Sequence, residues 1–353
     1  MSSINNISKI IITLVIYILY YQANDSLAQE QNPKLPPSMI YHKLIYHDKL
    51  DKILVFGGQS KHGWKADIKD VWTFDTNNYD WINLCKNEAV SDSGYAAHSP
   101  VYHKKSNHII FLNQIGETWA FQVESNKWTN MKPDNSPPTR CGHNMVYDSS
   151  SDKVILFGGF SCVKPNNPDF KVFNDTWVYD YNSNTWSEMN PENSPPNRMF
   201  ASMIYNSAED KIVLWGGRLW EPLADNSIWE YDYYRNNWAE IENIDGPKTS
   251  YAYPAMVYIE EKNDLILFGG GILESAFVGK QVNEMWKFDF VDEKWLLLNT
   301  TNTPPPVTIH SMVYVPKIEE IILCGGEIRS MYSNNILEGT WILSIKDLVW
   351  DKK

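Results

Sequence analysis

The sequence has little cysteine, little charge for its length and no long apolar run. Its 353 residues include four cysteines, at positions 85, 141, 162 and 324. They are too few and too irregularly spaced for a disulfide-dense scaffold or a zinc motif. Charged residues make up 21% of the chain and the net charge is −12. Nucleic acid is therefore not an expected partner, because neutralising phosphates requires a basic surface.

An uncharged, mostly apolar run lies near the N-terminus, from Ile10 to Tyr21, directly after Lys9. It is shorter than the run of about 20 apolar residues that spans a bilayer. Small residues follow at Ser26-Leu27-Ala28. This pattern predicts a signal peptide over residues 1–28 and a secreted or cell-envelope protein. Membrane attachment is expected only if the segment is retained.

Motifs that mark a catalytic centre are also missing from the sequence. It contains no HExxH metal motif, no nucleophile elbow and no phosphate-binding loop. We therefore expect no bound metal or other cofactor. A binding protein becomes the leading hypothesis, although active sites assembled from distant parts of a chain leave no local motif.

The sequence is instead rich in aromatic residues that recur at fixed intervals. Six tyrosines each follow an apolar residue, and a glycine pair begins eleven positions after five of them, with Asn113-Gln114 replacing the pair in the second copy. Each copy then carries two tryptophans nine positions apart, beginning with Trp72 and Trp81. Two rigid intervals separated by variable ones predict two hairpins per repeat, joined by loops, since paired strands do not tolerate insertions.

A four-stranded repeat of about 50 residues is the signature of a propeller blade. The sequence resembles the Kelch-repeat family in its Arg140-Cys-Gly-His143 start, its glycine pairs, its Asn174-Asp-Thr-Trp177 element and the second tryptophan. The resemblance implies an all-β fold, a six-bladed β-propeller of four-stranded antiparallel blades over residues 29–353. The predicted blades cover residues 38–84, 94–130, 139–188, 197–240, 250–297 and 306–351. Because every repeat is complete in chain order, the ring should close by packing of blades one and six.

The predicted binding face carries the loops between the second and third strands and the connections between blades. The intervals from the first glycine to the first tryptophan vary from 6 to 19 residues, and variable loops on a rigid ring are the usual place for binding. The resemblance places arginines seven residues before the repeat tyrosine at the mouth of the central channel. The alternative is that they only bond neighbouring backbone. The predicted contact residues are Tyr95, Arg140, Arg198, Arg218, Tyr251 and Arg329.

Three further features have both structural and functional interpretations. His42, His98, His143 and His310 occupy one repeat position and suggest a metal, but they stand at a consensus position and should lie too far apart around the axis to share an ion. Cys141 and Cys162 should face each other within one blade, so a disulfide bond is possible in an exported protein. Two glycosylation sequons remain after removal of residues 1–28, and they begin at Asn174 and Asn299.

The preferred function is binding of a protein, peptide or glycan through the long-loop face. The alternative is an exported carbohydrate enzyme similar to a sialic acid mutarotase, or less favoured a galactose oxidase, since relatives of this architecture include both. In the mutarotase, arginines would hold a sugar carboxylate while Glu221, Glu274 or Glu327 transfers protons. A ubiquitin-ligase adaptor is disfavoured, because no BTB or F-box pattern accompanies the repeats. Fold alone does not decide between these functions.

Overall fold

The computed structural model describes residues 39–59, 70–86, 99–164, 167–219, 226–241, 245–249, 251–274, 277–329 and 334–353. The predicted signal peptide and the predicted contact residue Tyr95 lie outside these ranges. Among the described residues, no helix has the length and apolar character needed to cross a membrane.

The described residues form six antiparallel blades of four strands each, in chain order, which confirms the predicted fold class. The first three blades contain β1 (Lys43–His47), β2 (Lys52–Phe56), β3 (Asp70–Asp75), β4 (Asp80–Lys86), β5 (Val101–His103), β6 (His108–Leu112), β7 (Thr118–Gln122), β8 (Lys127–Asn130), β9 (Asn144–Asp148), β10 (Lys153–Phe157), β11 (Thr176–Asp180) and β12 (Thr185–Met189).

The last three blades add short strands where their hairpins continue past the glycine pair. They contain β13 (Arg198–Met199), β14 (Ser202–Asn206), β15 (Lys211–Trp215), β16 (Arg218–Leu219), β17 (Ile228–Asp232), β18 (Asn237–Ile241), β19 (Tyr251–Ala252), β20 (Ala255–Ile259), a 3-10 helix (Glu260–Lys262), β21 (Asp264–Glu274), β22 (Phe277–Asp289), β23 (Lys294–Leu298), β24 (Ser311–Val315), β25 (Glu320–Cys324), β26 (Glu327–Arg329), β27 (Asn334–Ile336), β28 (Thr340–Ser344) and β29 (Val349–Lys352).

The repeat tyrosine fixes the turn between the first two strands of a blade. In blade three the Tyr147 hydroxyl donates a hydrogen bond to Asp152 Oδ1 at 3.0 Å, and Asp152 takes a left-handed backbone with φ of 58°. Aspartate and asparagine tolerate this conformation better than most residues. The same tyrosine bond, five residues along, recurs in blades one, two, four and five.

The second tryptophan of each repeat joins its blade to the preceding one. Trp186 Nε1 donates to Thr118 Oγ1 at 2.8 Å, and Trp238 Nε1 donates to Thr176 Oγ1 at 2.9 Å. Where the preceding blade has Ile228 instead of threonine, Trp295 Nε1 has no partner among the described residues. Burial of the ring therefore dominates this joint, and the hydrogen bond is an addition to it.

The glycine pair lets neighbouring blades approach closely. Gly158 has a φ of +67°, and a Cβ atom placed on it would lie 2.6 Å from the carbonyl oxygen of Arg198 in the next blade. The following residue, Gly159, donates its N–H to that same oxygen at 2.9 Å. A side chain at Gly158 would therefore both strain the backbone and force the two blades apart.

Ring closure uses the same contacts as the joints inside the chain. Gly326 donates its N–H to the Met39 carbonyl at 2.9 Å, and Trp81 Nε1 of blade one donates to Thr340 Oγ1 of blade six at 3.0 Å. Apolar residues of both blades share one buried cluster. The four strands of each blade are consecutive along the described chain, which confirms that packing rather than an exchanged strand closes the ring.

Candidate functional site

Three aromatic side chains meet over the axis of the propeller. Tyr41 of blade one lies 6.0 Å from the ring centroids of both Phe200 and Tyr253, and the latter two lie 4.5 Å apart. Blades one and four stand opposite in a ring of six, so contact between Tyr41 and Phe200 places both side chains on the axis. We call Tyr41, Phe200 and Tyr253 the aromatic cap.

A distinctive backbone conformation directs the cap toward the axis. The cap residues have φ angles of 57° to 58°, and Gly142 and Ile309 at the same repeat position have 62° and 60°. Phe200 N–H donates to the Gly142 carbonyl at 2.9 Å, and Tyr253 N–H donates to the Phe200 carbonyl at 3.2 Å. A left-handed backbone is costly for a β-branched residue such as Ile309, so the ring of blades must hold it in place.

Gly142 creates the space that Phe200 occupies, because a Cβ atom at position 142 would lie 2.7 Å from Phe200 Cε1. The cap borders a channel with an empty volume of about 560 Å³, counting space open to solvent. Polar side chains at the starts of the inner strands line this channel, among them His42, Ser99, Asn144, Ser202 and His310. An apolar platform therefore lies beside polar groups, as in many binding sites.

The arginines predicted at the channel mouth are buried instead. Arg140 and Arg198 are 0% and 1% exposed. Arg140 makes two bonds of 2.7 Å to the Asp175 carboxylate and one of 3.0 Å to the Gly158 carbonyl, and its guanidinium stacks 4.4 Å from the Phe173 ring. Its donors are therefore directed at the protein itself.

Arg198 and Tyr251 occupy the same repeat position and are buried in the same way. Arg198 donates to the Gly216 carbonyl at 3.1 Å, and the Tyr251 hydroxyl donates to Glu284 Oε2 at 2.6 Å. All three of these predicted contact residues, Arg140, Arg198 and Tyr251, therefore bond to groups of the protein itself, and their contact with a ligand stays a prediction. The first residue of the inner strand joins neighbouring blades, so its side chain faces the interface between them.

Arg218 and Arg329, the other two predicted contacts, do lie beside the cap. Arg218 is half-buried, and its Nε has no hydrogen-bond partner among the described residues. Burial raises the pKa of Tyr253, and the Arg218 charge opposes that rise. Arg329 is 39% exposed and its Nε donates to Glu327 Oε2 at 2.8 Å. Arg218 therefore has the spare donor capacity, whereas Arg329 is paired.

The tyrosine hydroxyls of the cap are coupled to each other. Burial raises the pKa of Tyr41 well above its usual value, and the hydrogen bond with the Tyr253 hydroxyl adds to that rise. Both hydroxyls are therefore protonated at neutral pH.

The loops around the cap differ greatly in size. In blade five β21 and β22 continue past the glycines, with Ile272 paired to Lys280, and in blade six β26 pairs with β27. Gln281 connects these two hairpins by donating to Thr308 Oγ1 and to the Glu327 carbonyl, both at 2.8 Å. They form a wall on one side of the cap.

Blade two has almost no loop at the same height. The Asn113 side chain closes its tight turn by accepting hydrogen bonds from Ile115 and Glu117 N–H at 3.2 and 2.8 Å. This explains why the second repeat lacks the glycine pair, because the asparagine side chain completes the turn.

Comparisons with known proteins agree with this architecture. A family model described as the KLHDC2/KLHL20/DRC7 Kelch-repeats domain matches residues 112–205 and 164–353. The chain belongs to the Kelch-repeat family. Adagio-like protein 3 of Oryza sativa subsp. japonica is 24% identical over 323 residues, which cover 83% of this chain and 48% of that protein. Mei4-dependent protein 6 of Schizosaccharomyces pombe is 23% identical over 167 residues, 42% of this chain and 23% of that one. The chain thus matches less than half the length of these relatives.

The histidines of the Kelch repeat pack between neighbouring blades. His310 Cε1 lies 2.8 Å from where a Cβ atom of Gly269 would stand, so the ring fills the gap that the glycine leaves. Burial lowers the pKa of His42 to about 4 and that of His310 to about 3, so both are neutral at physiological pH. Among the described residues no group of three or more candidate ligands could hold a metal ion. His98 lies outside them.

Two cysteines of the third Kelch repeat are bonded to each other. The sulfur atoms of Cys141 and Cys162 are 1.99 Å apart. The bond ties the start of the inner strand to the long loop of blade three, where Phe160 and Phe170 pack together with Phe200 of the cap. Burial raises the pKa of the Cys324 thiol to about 12, so that residue is an unreactive part of the core.

Sequence reasoning missed the aromatic cap of this Kelch propeller. Its members stand two residues before the inner strands β1, β14 and β20. At this repeat position the sequence carries Tyr41, Ala97, Gly142, Phe200, Tyr253 and Ile309. This column, between those of Arg140 and His143, contains three large aromatic residues. The three cap residues share a left-handed backbone, which cannot be predicted from their residue types.

Proposed function

We propose that this Kelch propeller is a protein-binding module that takes up an acidic segment of its partner at the aromatic cap. Kelch propellers generally bind proteins, which supports the class of function. The blade-five and blade-six hairpins and the blade-three loop would surround the bound segment. Aromatic rings at the centre and loops at the rim suit a recognition site, because Tyr and Arg supply much of the energy at protein interfaces.

The observation that carries the proposal is the Nε of Arg218 beside the cap, which has no hydrogen-bond partner in the part of the chain that the structure describes. A partly buried arginine donor without an acceptor is unfavourable, and a carboxylate on a partner would satisfy it. The Tyr253 hydroxyl lies close enough for its pKa to respond to the Arg218 charge and offers a second donor. An acidic side chain or a terminal carboxylate would accept from both.

We also propose that the protein is exported. The apolar N-terminal segment supports a signal peptide, and the Cys141–Cys162 bond suits an oxidising compartment. Fractionation of the cells that make the protein tests this directly. Recovery of the chain in the cytosol, with both cysteines reduced, would refute it.

A display library of random peptides, selected on the purified chain, tests the binding site. We expect acidic peptides to be enriched, and Arg218→Ala to weaken the best of them by about 10- to 150-fold, since a hydrogen bond to a charged group contributes about 1.5 to 3 kcal/mol. Arg235→Ala is the matched control, because Arg235 is 84% exposed beside Asp232 at the opposite end of the blade. Equal binding by both variants, or selection of neutral peptides, would contradict the proposal. A glycan array run in parallel separates a sugar ligand from a peptide.

A further inference from the structure

The outer strand of blade five, β23, is unusually apolar. Leu296 and Leu297 follow its tryptophan and are 40% and 51% exposed. At these two positions the other five blades carry at least one polar residue each: Ile82-Asn83, Thr129-Asn130, Ser187-Glu188, Ala239-Glu240 and Asp351-Lys352. Only blade five has a large apolar residue at both.

An outer strand of a propeller blade is the edge of a sheet. Edge strands that expose apolar side chains invite pairing with another molecule, and proteins normally protect them with charge, proline, a bulge or a covering group. Neither Leu296 nor Leu297 provides a charge, a proline or a bulge, so only a covering group could protect this edge. The question is what covers this edge.

A sequon begins immediately after the strand, at Asn299-Thr300-Thr301. Asn299 and Thr301 are both exposed. The backbone there is held in place, because Thr301 N–H donates to the Leu348 carbonyl and its carbonyl accepts from Trp350 N–H, both at 3.0 Å. The Asn299 side chain therefore projects from a fixed point two residues beyond Leu297.

The other sequon beyond residues 1–28, at Asn174, has a structural explanation. Asn226 and Asn283 stand at the equivalent position in blades four and five, and their amides donate to carbonyls of the next connection at 3.2 and 2.9 Å. Thr176 of the Asn174 sequon is 0% exposed and its hydroxyl accepts from Trp238. Asparagine and threonine are thus repeat residues there, and folding makes the threonine inaccessible.

We infer that Asn299 carries an N-linked glycan that covers the Leu296–Leu297 edge. The donor would be a glycan linked through phosphate to a membrane lipid. The Asn299 amide nitrogen forms a bond to the anomeric carbon of the sugar, the bond from that carbon to the phosphate oxygen breaks, the lipid phosphate leaves with the electron pair, and the amide gives up one proton. No oxidant or reductant takes part.

This inference rests on the proposed export, because such donors are used on the far side of a membrane. The test takes the full-length protein from the cells that make it and separates cytosolic from exported material. Trypsin then releases residues 295–317, which contain Asn299, and residues 172–198, which contain Asn174. Asn302 in the first peptide is an internal control, because Pro304 removes it from any sequon.

The expected result is a sugar mass on peptide 295–317 of the exported protein, lost completely in an Asn299→Gln variant, with peptide 172–198 bare. Exported protein with a bare 295–317 peptide would overturn the glycan while leaving export intact. A bare peptide on purely cytosolic protein would overturn both. A glycan at Asn174 instead of Asn299 would also refute the assignment.

The covering role has its own measurement. Asn299→Gln should elute as larger species than the glycosylated protein at equal concentration, and adding Leu296→Thr with Leu297→Thr should return it to the monomer position. If Asn299→Gln stays monomeric, the glycan does not shield this edge. Thermal unfolding of each variant confirms that the propeller is intact, so a folding defect is not mistaken for association.

Discussion

Glu230 offers a sharp test of how burial controls the stability of this propeller. It lies in the third strand of blade four, facing blade five, and the equivalent positions in blades two, three and six are Ala120, Val178 and Ile342. Burial raises its pKa from 4.5 to about 7; Lys211 opposes the shift, while Glu209 and Glu293 add to it. The folded protein therefore resists ionising a carboxyl group that the unfolded chain ionises freely.

The direction of the pH dependence of stability follows from the raised pKa of the Glu230 carboxyl group. Below about pH 4.5 the carboxyl is protonated in both states, so stability is unaffected. Between pH 4.5 and 7 the unfolded chain loses the proton first, and stability falls until the folded state has ionised as well. The full shift corresponds to about 3 kcal/mol, which screening at this half-buried site reduces to about 1 to 2 kcal/mol.

Glu230→Gln should therefore be more stable than the parent protein by about 1 to 2 kcal/mol at pH 8 and nearly equal at pH 4.5. Urea unfolding followed by tryptophan fluorescence at both pH values measures the difference. Glu188→Gln, on an exposed outer strand, is the control and should change neither value. A Glu230→Gln variant that is less stable at pH 8, or that gains equally at both pH values, would refute the reasoning.

Three further substitutions probe the joints between strands and blades. Asp175→Asn leaves the buried Arg140 charge without its carboxylate and should cost about 3 kcal/mol in urea unfolding; a loss below 1 kcal/mol would show that the backbone carbonyls suffice. Thr176→Val unpairs Trp238 Nε1 and should cost about 1 to 3 kcal/mol, an effect that should vanish when Trp238→Phe is also present. Gly158→Ala should lower the thermal midpoint by several degrees, because the added methyl meets a carbonyl oxygen at a positive φ; an unchanged midpoint would contradict the close approach.

The repeat made the architecture predictable because it constrains spacing. Strands paired in a hairpin fix the interval between Tyr147 and Gly158, and that between Trp177 and Trp186, whatever the intervening residues are. Loops have no such constraint, so their lengths could be counted but their shapes could not. The blade-five hairpin, for instance, needs the pairing of Ile272 with Lys280, which no repeat position specifies.

The candidate site was predictable only in part. Arg140 was predicted to contact a ligand because the Kelch resemblance places such arginines at the channel mouth, but its partner Asp175 lies 35 residues away and belongs to a different column of the repeat. Burial of a charge is a property of the pair, and a column-by-column comparison examines one residue at a time. Arg218, predicted as a contact residue on a variable loop, lies beside the cap, whereas Tyr41 and Phe200 were overlooked.

The joint between blades six and one has a consequence for how such a ring can change. Trp81 binds Thr340 just as Trp186 binds Thr118, so the first and last blades meet through the same contact as blades two and three. No blade of this ring is completed by a strand from the other end of the chain. The termini could therefore be moved to any other connection between blades without changing the strands of a blade. Circular permutants opened between blades should therefore fold to the same propeller. Gain or loss of a whole blade during evolution would change the circumference of the ring but not the type of contact between neighbouring blades.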